Sequence, residues 1–265
     1  MKIQLLSDLH NEFLRGGKKH ADNKWQGFIP DTDADIIILA GDIDTGTNGV
    51  EWAVSESKRL AKNIIYVVGN HEFYRHEYFS VKANIAKLCE GTIVHCLDSA
   101  VYFQDDVRFI GTTLWTNYLA DISVPQDLAM LTIDNCLSDH RVIKFRSGDD
   151  DGRFRPEHAL ALHRKELAWL VRELSNDYQG KTVVVTHHGP HPVCQHPDFS
   201  VSAMSAAFHS DLSALLAEHD IDVWAFGHTH ANVDEVVSGT RIVSNQAGYP
   251  GEQVTDFDAK FLIDL

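Results

Sequence analysis

With 265 residues, the chain has room for one large domain, or one domain with an insertion, around a substantial core. Its 44% hydrophobic and 23% charged residues are a globular composition and exclude wholesale disorder. The balance of 23 Lys+Arg against 38 Asp+Glu leaves a net charge of −15, which repels phosphate backbones and argues against nucleic acid as a partner. The first predicted strand is the apolar run Lys2–Leu6, and the opening stretch MKIQLLSDLH lacks the apolar core and cleavage site of a secretory leader. Asp35–Ala40 (DIIILA) and Ile64–Val68 (IIYVV) are the next strands, with helical patterns over Val50–Ala61 and Tyr78–Leu88. Val101–Phe103 and Val107–Gly111 read as further strands. Residues 115–155 break the alternation, and their length, aromatics and Leu/Ile content predict a packed cap with some helix around Pro125–Leu131. Pro156–Asn176 is predicted as a long helix, with Pro156 suited to its first turn and Gly180 following its end. Lys181–Thr186 (KTVVVT), a helix over Ser205–Glu218 and Asp222–Phe226 (DVWAF) follow. Val233–Val237, Arg241–Ser244 and Phe261–Leu265 close the series as strands, some of them antiparallel.

Hydrophobicity along the five main runs is continuous rather than alternating, so these strands are expected to be covered on both faces. That implies a helix-flanked β-sandwich or a layered α/β sheet. No apolar run approaches the ~20 residues of a membrane span. The four cysteines (Cys89, Cys96, Cys136 and Cys194) are scattered with no CxxC pair. The expectation is therefore a cytoplasmic chain, in a reducing compartment, with no membrane partner.

The 16 histidines are an unusual count, and position decides what they do. Each of the five runs ends in polar residues of metal-ligand type: Asp8-Leu9-His10, Gly41-Asp42, Gly69-Asn70-His71-Glu72, His187-His188 and Gly227-His228-Thr229-His230. Carboxyl ends of strands in α/β sheets are where loops converge and sites form. If Asp8-x-His10 is extended, both side chains point the same way and can share one cation. His228-x-His230 can do likewise or divide between two cations. A glycine before a ligand permits a sharp exit from the strand. Oxygen and nitrogen donors without thiolate suit manganese, iron or zinc. Turn and capping duty would explain any one cluster, but not five in series.

In this order DLH, GD, GNHE, HH and GHTH resemble the calcineurin-like metallophosphoesterase family, across most of the chain outside the insert. The resemblance implies an α/β fold: a four-layer helix-flanked β-sandwich of the metallophosphoesterase type. Residues 1–265 would form a single domain, with about 115–155 as a cap-like insertion. Two divalent metal ions per chain are implied, manganese first, with iron or zinc as alternatives. Asp8, His10, Asp42 and His230 would hold one ion, and Asp42, Asn70, His187 and His228 the other, with Asp42 bridging. His187 is taken over His188 because it directly ends its strand. His71 would protonate the leaving group. The implied reaction is hydrolysis of a small-molecule phosphodiester or phosphomonoester by hydroxide bound at the binuclear centre, which is locally positive in an acidic protein.

Family protein Ser/Thr phosphatases carry GDxxDRG, whereas this chain has Gly41-Asp42-Ile43-Asp44-Thr45-Gly46 and no arginine there. A protein phosphatase is therefore a weaker alternative, and a nuclease weaker still given the charge. A non-catalytic metal-binding scaffold is the alternative from another class, opposed by the filled ligand set and the presence of His71. Asp44 is the candidate partner of His71. Glu12 and Glu72 are expected to be solvated, or to orient His10 or His71. His188 or His191 stands ahead of His196 for contact with substrate, and His158 and His163 are expected to be solvated. Arg141, Lys144, Arg146, Arg153 and Arg155 around Asp149–Asp151 are read as an exposed loop with internal pairing, and Trp115 and Tyr118 as aromatic core of the cap.

Overall fold

Ile36, Ile37, Ile38 and Leu39 are all fully buried, yet they face two different ways. Successive side chains of a strand point to opposite faces. Ile36 and Ile38 join Ile3, Leu5, Ile65 and Val67 in a core whose other half is Phe109, Val183, Val185, Val223 and Val243. Ile37 and Leu39 join Leu6, Ile64 and Tyr66 in a second core, which includes Val50, Ala53, Val81 and Ile85 from helices. A continuous apolar run is thus a strand with a layer on each side.

The computed structural model describes residues 1–18, 24–120, 123–146, 152–252, 254 and 256–265, and the acidic run Asp149–Asp151 lies outside them. Its strands are β1 (Lys2–Leu6), β2 (Ile36–Leu39), β3 (Asn63–Tyr66), β4 (Val94–Cys96), β5 (Ala100–Gln104), β6 (Val107–Thr112), β7 (Lys181–Thr186), β8 (Val223–Phe226), β9 (Asp234–Val237), β10 (Thr240–Ser244) and β11 (Leu262–Asp264). Its helices are α1 (Asn11–Arg15), α2 (Asn48–Leu60), α3 (Tyr78–Cys89), α4 (Gln126–Cys136), α5 (Asp139–Val142), α6 (Pro156–Leu174) and α7 (Ser213–Glu218).

One sheet has the order β11-β1-β2-β3-β4, parallel except for β11. The other has the order β5-β6-β7-β8-β10-β9, parallel through β6, β7, β8 and β10 with antiparallel edges. A third core joins Ile110, Val184, Trp224 and Ile242 of the second sheet to Leu170 and Leu174 of α6 and to Leu215 and Leu216 of α7. The result is helix layer, sheet, sheet, helix layer. Parallel pairing brings the carboxyl ends of β1, β2 and β3 to one edge of their sheet, and those of β7, β8 and β10 to one edge of theirs.

Several sequence expectations are corrected. The helix predicted over Ser205–Glu218 is broken: a 3-10 turn at Ala203–Ala207 is followed by extended chain, and only α7 is helical. The break arises because Phe208–Ser210 hydrogen-bonds with Gly189 beyond β7, Gly189 N–H to Phe208 O at 3.1 Å and Ser210 N–H to Gly189 O at 3.0 Å. The long helix α6 ends at Leu174 with Ser175 as its C-cap, short of the predicted Asn176, and Gly180 follows that end. A side chain on Gly180 would collide with the Asp106 carbonyl. His163 is 2% exposed rather than solvated, its Nδ1 3.0 Å from the Leu114 carbonyl. His158 is half-buried and stacks on Phe145 with ring centroids 4.3 Å apart.

The described residues of 115–155 are built into the helical layer over the first sheet. Trp115, Tyr118, Ala129, Ile133, Ile143, Phe145 and Phe154 share one core with Phe73 and Tyr78. Backbone bridges join Tyr74 to Ile143 and Glu77 to Lys144. Arg153 pairs with Asp134 of α4 at 3.1 Å, and the acidic run expected to pair within the loop lies outside the described residues.

Candidate metal centre

The chain leaves β1 through Ser7, whose backbone N–H bonds Asn245 O at 3.0 Å and so ties the β1 exit to the β10 exit. Asp8 and His10 then take positive φ of 52° and 46°, as do Asp42 (55°), His228 (74°) and His230 (53°). The expected extended Asp8-x-His10 pair is therefore replaced by two left-handed residues, a region that costs a non-glycine residue roughly 1–2 kcal/mol. Five strained positions in one cluster mark a place where geometry outranks local comfort. Gly41 and Gly69 serve it differently from expectation: a side chain on Gly41 would collide with the His187 ring, and one on Gly69 with the Asp42 carboxylate. They are needed for close approach as much as for the turn.

All seven expected ligands and His71 come together. The donor atoms fall into three overlapping sets, Asp8 with His10 and His230, His10 with Asp42 and His71, and Asp42 with His187 and His228. Asn70 joins the third, its Oδ1 3.0 Å from His187 Nε2. Asn70 is oriented by Asp139 of α5, which accepts its Nδ2–H at 2.9 Å and the Tyr74 hydroxyl at 2.7 Å.

The imidazoles show what is missing between them. His187 Nδ1 lies 2.9 Å from the Ala40 carbonyl, which can only accept, so Nε2 presents a lone pair. That lone pair faces Asn70 Oδ1, and Asp42 Oδ1 lies 3.4 Å away. His10 Nδ1 faces Glu12 at 3.2 Å and His230 Nδ1 faces Glu252 at 2.6 Å. Their two Nε2 atoms are left 3.1 Å apart, aimed at each other. His228 Nε2 is buried with no hydrogen-bond partner among the described residues. Burial, then neighbouring His188 and His187, holds His228 well below the usual histidine range, so it stays neutral. In the neutral rings these Nε2 lone pairs converge, which is the donor set a cation takes.

Charges tell the same story. Burial opposes a charged His187, but Asp42 raises it to about 9. Burial opposes a charged His230 as well, and Asp8 and Glu252 raise it to about 10. Burial would raise Asp42, yet His187 and His71 hold it well below the carboxylate range. Without cations, the site draws protons onto its imidazoles to neutralise Asp8 and Asp42.

Around the ligands, the sequence was only partly legible. Glu12, left between solvated and orienting, is largely buried and bonds both His10 and His71 through one oxygen, at 3.2 and 2.9 Å. Burial would raise its pKa, but the two imidazoles lower it to about 2. Asp44 is not the partner of His71; it pairs with Arg15 and with its neighbour Thr45 N–H at 2.6 Å. Glu72 is fully buried and accepts the N–H groups of Asp42, Ile43 and Gly69 and the Tyr66 hydroxyl, pinning the exits of β2 and β3.

A cavity of about 490 Å³ opens over the donors, floored by Asp42, Asn70, His228 and His230 and walled by Tyr74 and Tyr249. His196 lines it, whereas His188 and His191 do not, which reverses the expected order. His188 is buried beneath the site against the Thr113 carbonyl at 3.3 Å, and burial and His187 push it down to about 3. His191 caps a short turn by accepting Val193 N–H at 3.0 Å. Tyr249, Glu252, Gln246 and Asp139 were missed. For the first three a signal existed: β10 is parallel to β8, so the residues after RIVS leave from the same edge as His228.

The model of the calcineurin-like phosphoesterase family matches residues 1–232. An uncharacterised protein of Acanthamoeba polyphaga mimivirus is 25% identical over 279 residues, covering 99% of this chain and 96% of that one. The structure resembles the crystal structure of phosphopantetheinyl hydrolase from Mycobacterium tuberculosis, with TM-score 0.74 and 17% identity, over 98% of this chain and 94% of that one. It also resembles a candidate 5'-nucleotidase from Staphylococcus aureus, with TM-score 0.52 and 16% identity. That match covers 93% of this chain, which spans about half (49%) of that protein.

Proposed function

The chain belongs to the calcineurin-like phosphoesterase family and is a phosphoester hydrolase, and from that premise we propose that it works with two divalent cations sharing Asp42. Asp8, His10, Asp42 and His230 hold one, and Asp42, Asn70, His187 and His228 the other. The observation that carries this reading is the convergence of ring Nε2 atoms whose Nδ1 atoms are engaged elsewhere, above all His10 Nε2 against His230 Nε2, together with the buried and unpartnered His228 Nε2. A thiolate-free set of oxygen and nitrogen donors suits manganese first, with iron or zinc as alternatives. When bound, such a pair supplies the charge that polarises a phosphoryl group and makes water acidic enough to attack near neutral pH.

The chain's own residues position and move protons. The backbone N–H of His71 donates to Asp42 Oδ1 at 2.8 Å, fixing the shared carboxylate. Glu12 holds the His71 ring through Nδ1, and the ring stacks on Tyr74 with centroids 4.0 Å apart. Burial would discharge His71, but Asp42 and Glu12 raise its pKa above the usual value. In its protonated form the ring presents Nε2–H to the Tyr249 hydroxyl, 2.9 Å away. Tyr249 lines the cavity and His71 is 5% exposed, so the proton reaches the leaving oxygen through that hydroxyl. The substrate is a small-molecule mono- or diester, in keeping with a cavity of about 490 Å³. A protein phosphatase is disfavoured by the missing GDxxDRG arginine.

Two measurements test this. Elemental analysis after reconstitution with manganese is expected to approach two ions per chain, and saturation at one would overturn the shared-Asp42 arrangement. Rates on p-nitrophenyl and bis-p-nitrophenyl phosphate separate monoester from diester preference. Hydrolysis of neither, with manganese, iron or zinc, would leave the non-catalytic scaffold.

A further inference from the structure

Beside the polar cleft lies a second cavity of about 340 Å³, lined by Gln195, Phe199, Ser202, Met204, Phe208 and Thr229 among others. The two adjoin, since His196, Phe199, Phe208 and Thr229 line both. Phe208 forms the partition and stacks on the His228 ring with centroids 4.9 Å apart. The second cavity has a different character from the first. Among the described residues, no Asp, Glu, Lys or Arg lines it. No Lys or Arg lines the first cavity either, where Asp198 and Glu252 add negative charge. Phe199 stands at the junction with 66% of its surface exposed, although aromatic surface is usually covered.

We propose that this cavity is the subsite for the non-phosphoryl part of the substrate, and that this part is uncharged and apolar, with an aromatic ring or an equally broad hydrocarbon face. The inference rests on the phosphoesterase reading and adds the substrate class to it. A phosphoryl group held over Asp42 and His228 leaves its organic group beside Phe208, with the apolar cavity as the adjoining space. A second phosphate or carboxylate on the substrate would meet Asp198 and, among the described residues, no Lys or Arg, which disfavours substrates with a second anionic group. Phe199, Met204 and Phe208 offer ring faces and a thioether that adapt to a flat ligand. The polar residues Gln195 and Thr229 in its lining spend their hydrogen bonds within the protein, on His196, Phe199 and His209 and on Ala231 and Gln246.

The test compares phenyl phosphate with 2-naphthyl phosphate, two aryl esters that differ by one fused ring. The manganese-loaded full chain is expected to favour the naphthyl ester about tenfold or more in kcat/KM, the scale of a small apolar group in a fitted pocket. Phe199→Ser and Met204→Gln are each expected to bring that ratio close to one. In parallel, binding of 2-naphthol to chelator-treated protein, read by its own fluorescence, is expected to weaken in the same two variants. This arm needs no turnover. A naphthyl-to-phenyl ratio near one, or a ratio indifferent to both substitutions, overturns the subsite while the hydrolase stands. Failure to cleave either ester with any of the three metals overturns the phosphoesterase reading and the proposal with it, and is recognised by the absence of both rates.

Discussion

His71 has both ring nitrogens engaged, by Glu12 on one side and Tyr249 on the other, and each contact makes a separate prediction. His71→Asn is expected to keep the full metal content and most of its rate on a nitrophenyl ester, whose leaving group departs without a proton. On an alkyl ester it should lose about 10²–10⁴-fold, the usual worth of general acid help. The comparison is made as a ratio of kcat/KM values, so that a general binding defect cancels. Tyr249→Phe should show the same selective loss on the alkyl ester, because the path from Nε2 to the cleft is cut. An alkyl rate untouched in Tyr249→Phe would mean that His71 meets the substrate directly. At this scale the residues that converge as candidate ligands were legible because each follows a strand, while the groups that orient them were not. Glu12 stands two residues from His10, and only the fold shows that its carboxylate also reaches His71 across 59 positions. The left-handed backbone of five ligands was equally hidden, since Asp and His carry no mark of it comparable to glycine.

Among the elements, α5 and α6 carry the tests. Asp139 on α5 lies in the stretch with no sequence motif, yet it fixes the amide of Asn70. Asp139→Ala is expected to weaken one of the two cations by about 10–100-fold, the usual cost of losing a group that orients a ligand. A metal titration should then show two unequal sites, and two equal, unweakened sites would show that Tyr74 alone holds Asn70. Glu166 on α6 is 3% exposed and accepts Leu114 N–H at 2.6 Å, just beyond β6. Burial raises its pKa from 4.5 to about 7. The folded chain therefore binds a proton that the unfolded chain releases at lower pH, so its stabilising effect is full below about 4.5 and is lost as pH rises through about 7. Glu166→Gln should remove that dependence and be the more stable form at pH 8, by up to about 3 kcal/mol in denaturant unfolding. A difference that does not change between pH 5 and pH 8 would show the carboxyl to be ionised throughout. Element prediction followed the same logic of visibility. β7 matched its expected bounds because Val183, Val184 and Val185 have no other use, whereas β4 was missed because only Val94 of its three residues is buried. The Ser205–Glu218 pattern has enough alanine and leucine for a helix, and tertiary pairing with Gly189 overrode it.

At the scale of the molecule, the donors divide between the two sheets. Asp8, His10, Asp42 and Asn70 follow strands of one, and His187, His228 and His230 follow strands of the other. On the proposed function, cations held between them would cross-link the sandwich at its edge, so chelation should lower the unfolding temperature even where no helix or strand depends on the metal. A cation present at 100 times its dissociation constant contributes about 2.7 kcal/mol. Scanning fluorimetry with and without chelator measures it, and identical midpoints would show that the cations do not bind the folded state more tightly than the unfolded chain. The pairing of β1 with β11 has a consequence in time. Gln4 meets Leu262, almost the whole chain away, and closing a loop of that length costs about 5 kcal/mol of chain entropy before the pairing repays any of it. While the chain is being made, β1 can find β2 early, but its other edge must wait for the last strand. The nascent protein therefore carries an open, apolar strand edge until β11 has been made, and slow elongation or crowded expression should favour aggregation through β1 before the fold is closed.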